Sequence, residues 1–247
     1  MADARRLILG QLAPQDKRLA ALARRITRCR LCPRLVRHRE RSAAEPPRRY
    51  RGEPYWARPL PGFGDPEARV LLVGLAPAAH GGNRTGRMFT GDRSGDWLFR
   101  ALYEAGFASQ PTSVRADDGL RLIDAYITAA ARCAPPANKP TPAEMDRCRP
   151  FLLEELRLLR RVRVVVALGK IGWDAYLRVR REGGLAVPRP LPRFGHGATA
   201  PMPDGITLLG SFHPSQQNTF TGRLTQAMLR DVFAQARRLA EERGVTI

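Results

Sequence analysis

Lysine is almost absent from this 247-residue chain: Lys17, Lys139 and Lys170 stand alone among 42 basic residues, and the rest are arginine. The scarcity does not lower the charge, which is +19 at neutral pH. Arginine forks match phosphate oxygens two at a time, so the bias suits a polyanion. A GC-rich genome accounts for arginine over lysine but not for the net charge. Nucleic acid is therefore the favoured partner, with solubility as the bland alternative. No apolar run approaches the roughly 20 residues that span a bilayer. The basic residues are dispersed rather than gathered on one amphipathic segment, which argues against a membrane surface. The opening Met1-Ala2-Asp3-Ala4-Arg5-Arg6 has no apolar core behind it. A cytoplasmic chain, associated with the nucleoid through DNA, is the expectation. Neither a Walker loop nor a G-x-G-x-x-G fingerprint occurs, so neither of those nucleotide-binding devices is expected.

Cysteine is nearly as scarce as lysine: Cys29, Cys32, Cys133 and Cys148 are the full set. The two-residue gap of Cys29-Arg30-Leu31-Cys32 lets both sulfurs reach one metal from a single turn. Cys133 and Cys148 have fourteen residues between them. Few, paired cysteines in an intracellular chain read first as metal ligands and only second as disulfides or unrelated buried thiols. Zinc and an iron–sulfur cluster both fit four thiolates. A zinc ribbon carries a second tight knuckle, which is missing here, and that favours a [4Fe–4S] cluster.

With 43% hydrophobic residues the chain can bury one large core. Apolar spacing predicts a helix over 15–28 that delivers Cys29 and Cys32. Residues 41–66, rich in Pro, Arg and Gly, predict an irregular excursion. Four continuous apolar runs predict strands buried on both faces: Arg69–Leu75, Ala125–Ala131, Val162–Leu168 and Ile206–Ser211. Ser94-Gly95-Asp96 predicts the cap of a helix ending at Gly106. Thr141-Pro142-Ala143-Glu144 is a capping box opening the helix that carries Cys148 and is bent by Pro150. Further helices are expected over Ile171–Arg180 and from Arg223 to Arg243, with a loop over 183–205. Strands alternating with helices imply an α/β fold, a three-layer α/β/α sandwich around a mostly parallel four-stranded sheet. One domain is expected, with residues 1–66 packed on a core of 67–247.

In such a sheet, ligands bind in the loops at the carboxyl ends of the strands. Three of these loops stand out. The first runs from Gly74 to Asp92 and is glycine-rich. The second is Cys133-Ala134-Pro135-Pro136-Ala137-Asn138-Lys139-Pro140. The third runs from Ser211 through His213-Pro214-Ser215 to Arg223. They bring one Asp, one Asn and one His to a single sheet edge, a plausible catalytic pocket.

Gly-Leu-Ala-Pro-Ala, Ala-Pro-Pro-x-Asn-Lys-Pro-Thr-Pro and His-Pro-Ser…Gln-Asn-Thr…Thr-Gly-Arg-Leu-Thr, together with the four cysteines, resemble the uracil-DNA glycosylase superfamily. The match is strongest to its family five, the type-b enzymes that carry an iron–sulfur cluster, and it covers nearly the whole chain. The resemblance implies a monomeric, monofunctional enzyme of base excision repair. It would hydrolyse the N-glycosidic bond of uracil in DNA and leave an abasic site. Gly74, Ala76, Pro77, Ala78, Ala79, His80, Gly81 and Phe89 would line the base pocket, with Phe89 stacked on the flipped base. Asn138 would read N3–H and O4 of uracil. His213 would stabilise the departing anion at O2. Leu75 stands where many relatives keep a polar side chain, so Asp92 would orient the attacking water instead. Each has a plainer reading: a core phenylalanine, a turn asparagine, a strand-end histidine and a helix-capping aspartate. Ser215, Gln216, Gln217, Asn218, Thr219 and Arg223, with Phe220 and Thr221, would contact DNA. The less polar first motif implies a roomier pocket that also takes deaminated purines such as hypoxanthine and xanthine. The cluster on Cys29, Cys32, Cys133 and Cys148 would be structural. A metal-stapled, non-catalytic nucleic-acid-binding protein and a hydrolase of free nucleosides are the rivals.

Overall fold

The computed structural model describes residues 17–242. Residues 15, 16 and 243 of the expected terminal helices lie outside them. The four apolar runs form the strands expected: β2 (Val70–Gly74), β3 (Ala125–Ala129), β4 (Val164–Leu168) and β6 (Thr207–Ser211), every residue of which is buried. All four are parallel, with Val70 opposite both Ala125 and Val164, and Val164 opposite Thr207.

The sheet has six strands, not four. β1 (Phe63–Gly64) pairs antiparallel with β3, and β5 (Thr199–Pro201) pairs antiparallel with β6, giving the order β1-β3-β2-β4-β6-β5. Two- and three-residue strands are too short for any alternation to register, and Pro201 is tolerated because its strand lies at the edge. They correct the irregular readings of 41–66 and 183–205.

Period-two alternation divides the core. Val70, Leu72, Ile127, Val164, Val166 and Leu209 face one layer, made by α4 (Arg93–Glu104) and α8 (Gln226–Glu241). Leu71, Val73, Tyr126, Val165, Ala167 and Leu208 face the other, made by α1 (Lys17–Thr27), α5 (Pro142–Leu158) and α6 (Lys170–Glu182). The sandwich is therefore as expected. The capping box is present: Glu144 N–H donates to Thr141 Oγ1 at 3.2 Å and Thr141 N–H to Glu144 Oε2 at 2.8 Å. α5 runs through Pro150 as one helix.

Three helices went unforeseen. α2 (Pro33–Ala44) buries Leu35, Val36, Arg39 and Ser42 on one face. Two of these are polar, so the apolar period is broken. α3 (Gly82–Thr85) and α7 (Gln216–Phe220) are single turns. The start of α4 also differs: its cap is Asp92, whose Oδ1 accepts from Gly95 N–H at 3.0 Å, rather than Ser94-Gly95-Asp96. Among the described residues no helix is long and apolar enough to cross a membrane.

Candidate active site

β2 delivers the glycine-rich loop, β3 the asparagine turn and β6 the histidine loop, all at carboxyl ends of parallel strands, with β4 between β2 and β6. The first loop is shaped from within. The carbonyls of Ala78, Ala79 and His80 accept from Asn83 N–H (3.0 Å), Asn83 Nδ2 (3.3 Å) and Arg84 Nε (2.9 Å). These bonds brace the loop from its carbonyl side. His80 turns its ring toward an unexpected neighbour, with Nδ1 2.9 Å from Tyr55 Oη and its face 6.1 Å from the Tyr50 ring.

Phe89 sits at φ 51°, an uncommon conformation for a bulky residue and a sign that its surroundings hold it there. A side chain at Gly74 would come within 3.0 Å of Phe89 Cζ, so the bare end of β2 is what lets the ring lie over it. Phe89 faces His213, ring centroids 5.7 Å apart and planes inclined by 35°. A methyl at Gly81 would collide with Asp92 Oδ2, so that carboxylate rests against the loop's own backbone. Burial pushes the Asp92 carboxyl above its ordinary range, against the opposing pull of Gly95 and Ser94 N–H. The helix-capping alternative for Asp92 is real, but it occupies Oδ1 and leaves Oδ2 against Gly81.

His213 follows β6, and burial lowers its imidazole to about 4, so it is neutral at physiological pH. A neutral ring still carries one N–H donor. Asn218, a half-buried residue of this loop, donates Nδ2 to the His213 carbonyl at 2.8 Å. Gln216, Gln217 and Phe220 of α7 are exposed, and Ser215 and Thr219 are half-buried. Arg223 lies 4.6 Å over the Phe212 ring.

Asn138 stands apart. It is exposed, at φ 55° beside Ala137 at 52°, in a 3₁₀ turn (Pro136–Asn138). It rims a cavity of about 350 Å³ with Ala130, Met145, Leu152, Ile171 and Val179, between α5 and α6. Gly74, Phe89 and His213 are thus linked by close approaches, and Gly81 and Asp92 by another on the same loop as Phe89. Asn138 joins them only through the common sheet edge.

The four cysteines line one small cavity with Arg39 and Arg132, and none is in a disulfide. Arg39 Nη1 donates to Cys133 Sγ at 3.1 Å, and Arg147 and the Arg132 backbone donate to Cys32 and Cys148. Arg39 Nε and Arg132 Nε are buried without partners. Arg132 is neutralised by the buried Glu155 carboxylate, whereas the buried Arg39 guanidinium keeps its charge beside Cys133, which suits a thiolate there. Among the described residues, no three His, Cys, Asp or Glu side chains gather tightly enough to hold a single metal ion.

Comparison with known proteins decides the family. A model of the uracil DNA glycosylase superfamily matches residues 61–237. A type-5 uracil-DNA glycosylase of Thermus thermophilus is 54% identical over 220 residues, 89% of this chain and 97% of that protein. One from Mycobacterium tuberculosis is also 54% identical, over 87% of this chain and 79% of its own length. One from Pyrobaculum aerophilum is 47% identical over 86% and 89%. The chain belongs to the uracil DNA glycosylase superfamily. Its long relatives within it are the type-5 proteins, in line with the resemblance carried by the three loops.

Proposed function

We propose that this superfamily member excises uracil from DNA by hydrolysing the N-glycosidic bond, leaving an abasic site. The observation that carries the reading is the Phe89–His213 ring pair at the sheet rim, with Asp92 held against Gly81 on the loop that carries Phe89. The nucleotide leaves the stack and its base lies on the Phe89 face. His213, neutral and half-buried, donates its N–H toward O2, where negative charge develops as the bond breaks. A neutral donor needs no proton uptake to do this. Asp92 Oδ2 orients water and offsets positive charge on the sugar. Asn138 reads the base edge from the neighbouring turn.

The residues fit a [4Fe–4S] cluster held by Cys29, Cys32, Cys133 and Cys148. The four thiols line one cavity, and the missing second tight knuckle favours this cluster over a single zinc. When bound, the cluster supplies a structural pin between α2 and the Asn138 turn. Brown, iron-containing protein is expected, and a colourless zinc-loaded preparation would overturn this part. Leu75, in place of a polar side chain, leaves the pocket permissive, and hypoxanthine and xanthine are further substrates.

The test is release of free base from a uracil-containing oligonucleotide, leaving an alkali-labile site. Oligonucleotides carrying hypoxanthine or xanthine in place of uracil measure the breadth. Binding of DNA without base release would leave the non-catalytic rival.

A further inference from the structure

Guanidiniums lie over aromatic rings in two settings. Arg87 over Phe63, Arg180 over Tyr176 and Arg237 over Phe107 pack within the fold. The others gather along the rim that carries Asp92 and His213. Arg49 and Arg84 lie 4.6 and 4.2 Å over Tyr50, Arg58 lies 5.9 Å over Trp56, Arg93 lies 4.4 Å over Phe220 and Arg223 lies 4.6 Å over Phe212. A guanidinium laid on a ring is fixed in position while its charge and N–H donors stay free. One held by a carboxylate is neutralised. Arg84 is of the second kind, 2.5 Å from Glu53. Among the described residues, Arg48, Arg49, Arg51 and Arg58 are exposed and form no ion pair.

The segment bearing these four arginines is built onto the first loop. Trp56 N–H donates to Arg84 O at 2.9 Å and Ala57 N–H to Asn83 O at 3.0 Å. Tyr55 Oη meets His80 Nδ1 at 2.9 Å, and Tyr50 stacks on His80. Arg84 also donates Nη2 to Gly91 O at 2.9 Å, one residue from Asp92. Pro46, Pro47, Pro54 and Pro59 stiffen the excursion by fixing φ. Unpaired positive charge, with Arg49 and Arg58 laid on rings, thus sits beside the rim, across it from α7, which follows β6 two strands away.

We propose that residues 48–58 are a second DNA arm, whose arginines contact backbone phosphates on the side of the extruded nucleotide opposite α7. This rests on the reading of the chain as a DNA glycosylase. The probe is a duplex oligonucleotide with one uracil, its Kd measured against salt. Arg49→Gln/Arg51→Gln is compared with Arg160→Gln/Arg238→Gln, equal in charge but at the amino ends of the strands, where Arg160 leads into β4 and Arg238 lies in the last turn of α8. Loss of two phosphate contacts lowers the slope of log K against log salt by about 1.4–1.8 in the arm variant. The control slope stays near that of the parent. Equal slopes in the two variants overturn the arm. A parent that binds but releases no uracil overturns the glycosylase reading instead, and the slopes still decide the arm.

Discussion

The loop after β2 and the turn after β3 reach the same rim, but they are held in opposite ways. The first is braced from inside, with Ala78, Ala79 and His80 carbonyls all engaged by Asn83 and Arg84, and with Phe89 and Asp92 each pressed against a glycine. The second has only the turn bonds Asn138 N–H to Pro135 O (3.1 Å) and Lys139 N–H to Pro136 O (3.0 Å), two successive left-handed residues, and an exposed Asn138 amide. Its support comes from its ends. Cys133 precedes it among the thiols, and α5 follows it with Cys148 and with Glu144, which Arg34 of α2 grips at 2.7 Å. Arg34 also donates to Lys139 O at 3.1 Å. The chemical loop therefore stands on its own backbone, whereas the reading turn depends on whatever ties the cysteines together.

The largest expected effects fall on the self-braced side. Asp92→Asn keeps an oxygen for the Gly95 N–H but removes the carboxylate, and the single-turnover rate is expected to fall by about 10²–10⁴-fold. Melting stays near that of the parent, unlike Asp92→Ala, which also gives up a helix cap worth roughly 1 kcal/mol. Burial raises the Asp92 pKa, so its carboxylate, and the rate, are lost as pH falls through that raised value. His213 protonates only at about 4 and adds no limb above it. A pH–rate profile of Asp92→Asn that kept the parent's acid limb would remove Asp92 from the mechanism. His213→Ala is expected to cost about 10²–10³-fold in rate, the usual worth of one donor to a developing anion.

Gly81→Ala sharpens the contrast, because it removes no polar side chain. The added methyl must displace Asp92 Oδ2, and a shift of about 1 Å in a reacting group can cost roughly 10²-fold. A wild-type rate would mean that the carboxylate position is unimportant. Asn138→Ala belongs to the other side: base discrimination is expected to fall by roughly 5–150-fold, the worth of a bidentate base contact of about 1–3 kcal/mol, mainly in KM. Cys133→Ala should imitate it in KM while bleaching the visible absorbance. A Cys133 variant that lost kcat alone, with KM intact, would break the division between the two loops.

The same division governs what was legible in sequence. Val70–Gly74 and the other central strands declare themselves because burial on both faces demands unbroken apolar runs. Thr141 and Glu144 declare the start of α5 through capping chemistry. Phe63–Gly64 and Thr199–Pro201 are too short to carry a period, and α2 hides because its buried face includes Arg39, whose partners are a thiol 94 residues away and a carbonyl 10 residues away in sequence. At the proposed site, Asp92, His213 and Phe89 were singled out by motif and resemblance. The inward turn of Asn218 and the clasp of Tyr50 and Tyr55 on His80 are tertiary facts that no local spacing encodes. Among the described residues, five non-glycine residues at positive φ, three of them Phe89, Ala137 and Asn138, were equally invisible.

The smallest effect is the most discriminating for the third loop. Asn218 donates to the His213 carbonyl across five residues, fixing the backbone that carries the imidazole. Asn218→Ala forfeits a hydrogen bond worth about 0.5–1.5 kcal/mol, so the rate at saturating DNA is expected to fall roughly 2–12-fold. A residue that held DNA would act differently, weakening Kd and leaving the saturated rate alone. Asn218→Asp separates the two further. Its carboxylate cannot donate to the His213 oxygen and is expected to slow the saturated rate at least as much as alanine does. A loss confined to Kd in both variants would return Asn218 to the DNA surface and leave the His213 backbone to be held by the short helix alone.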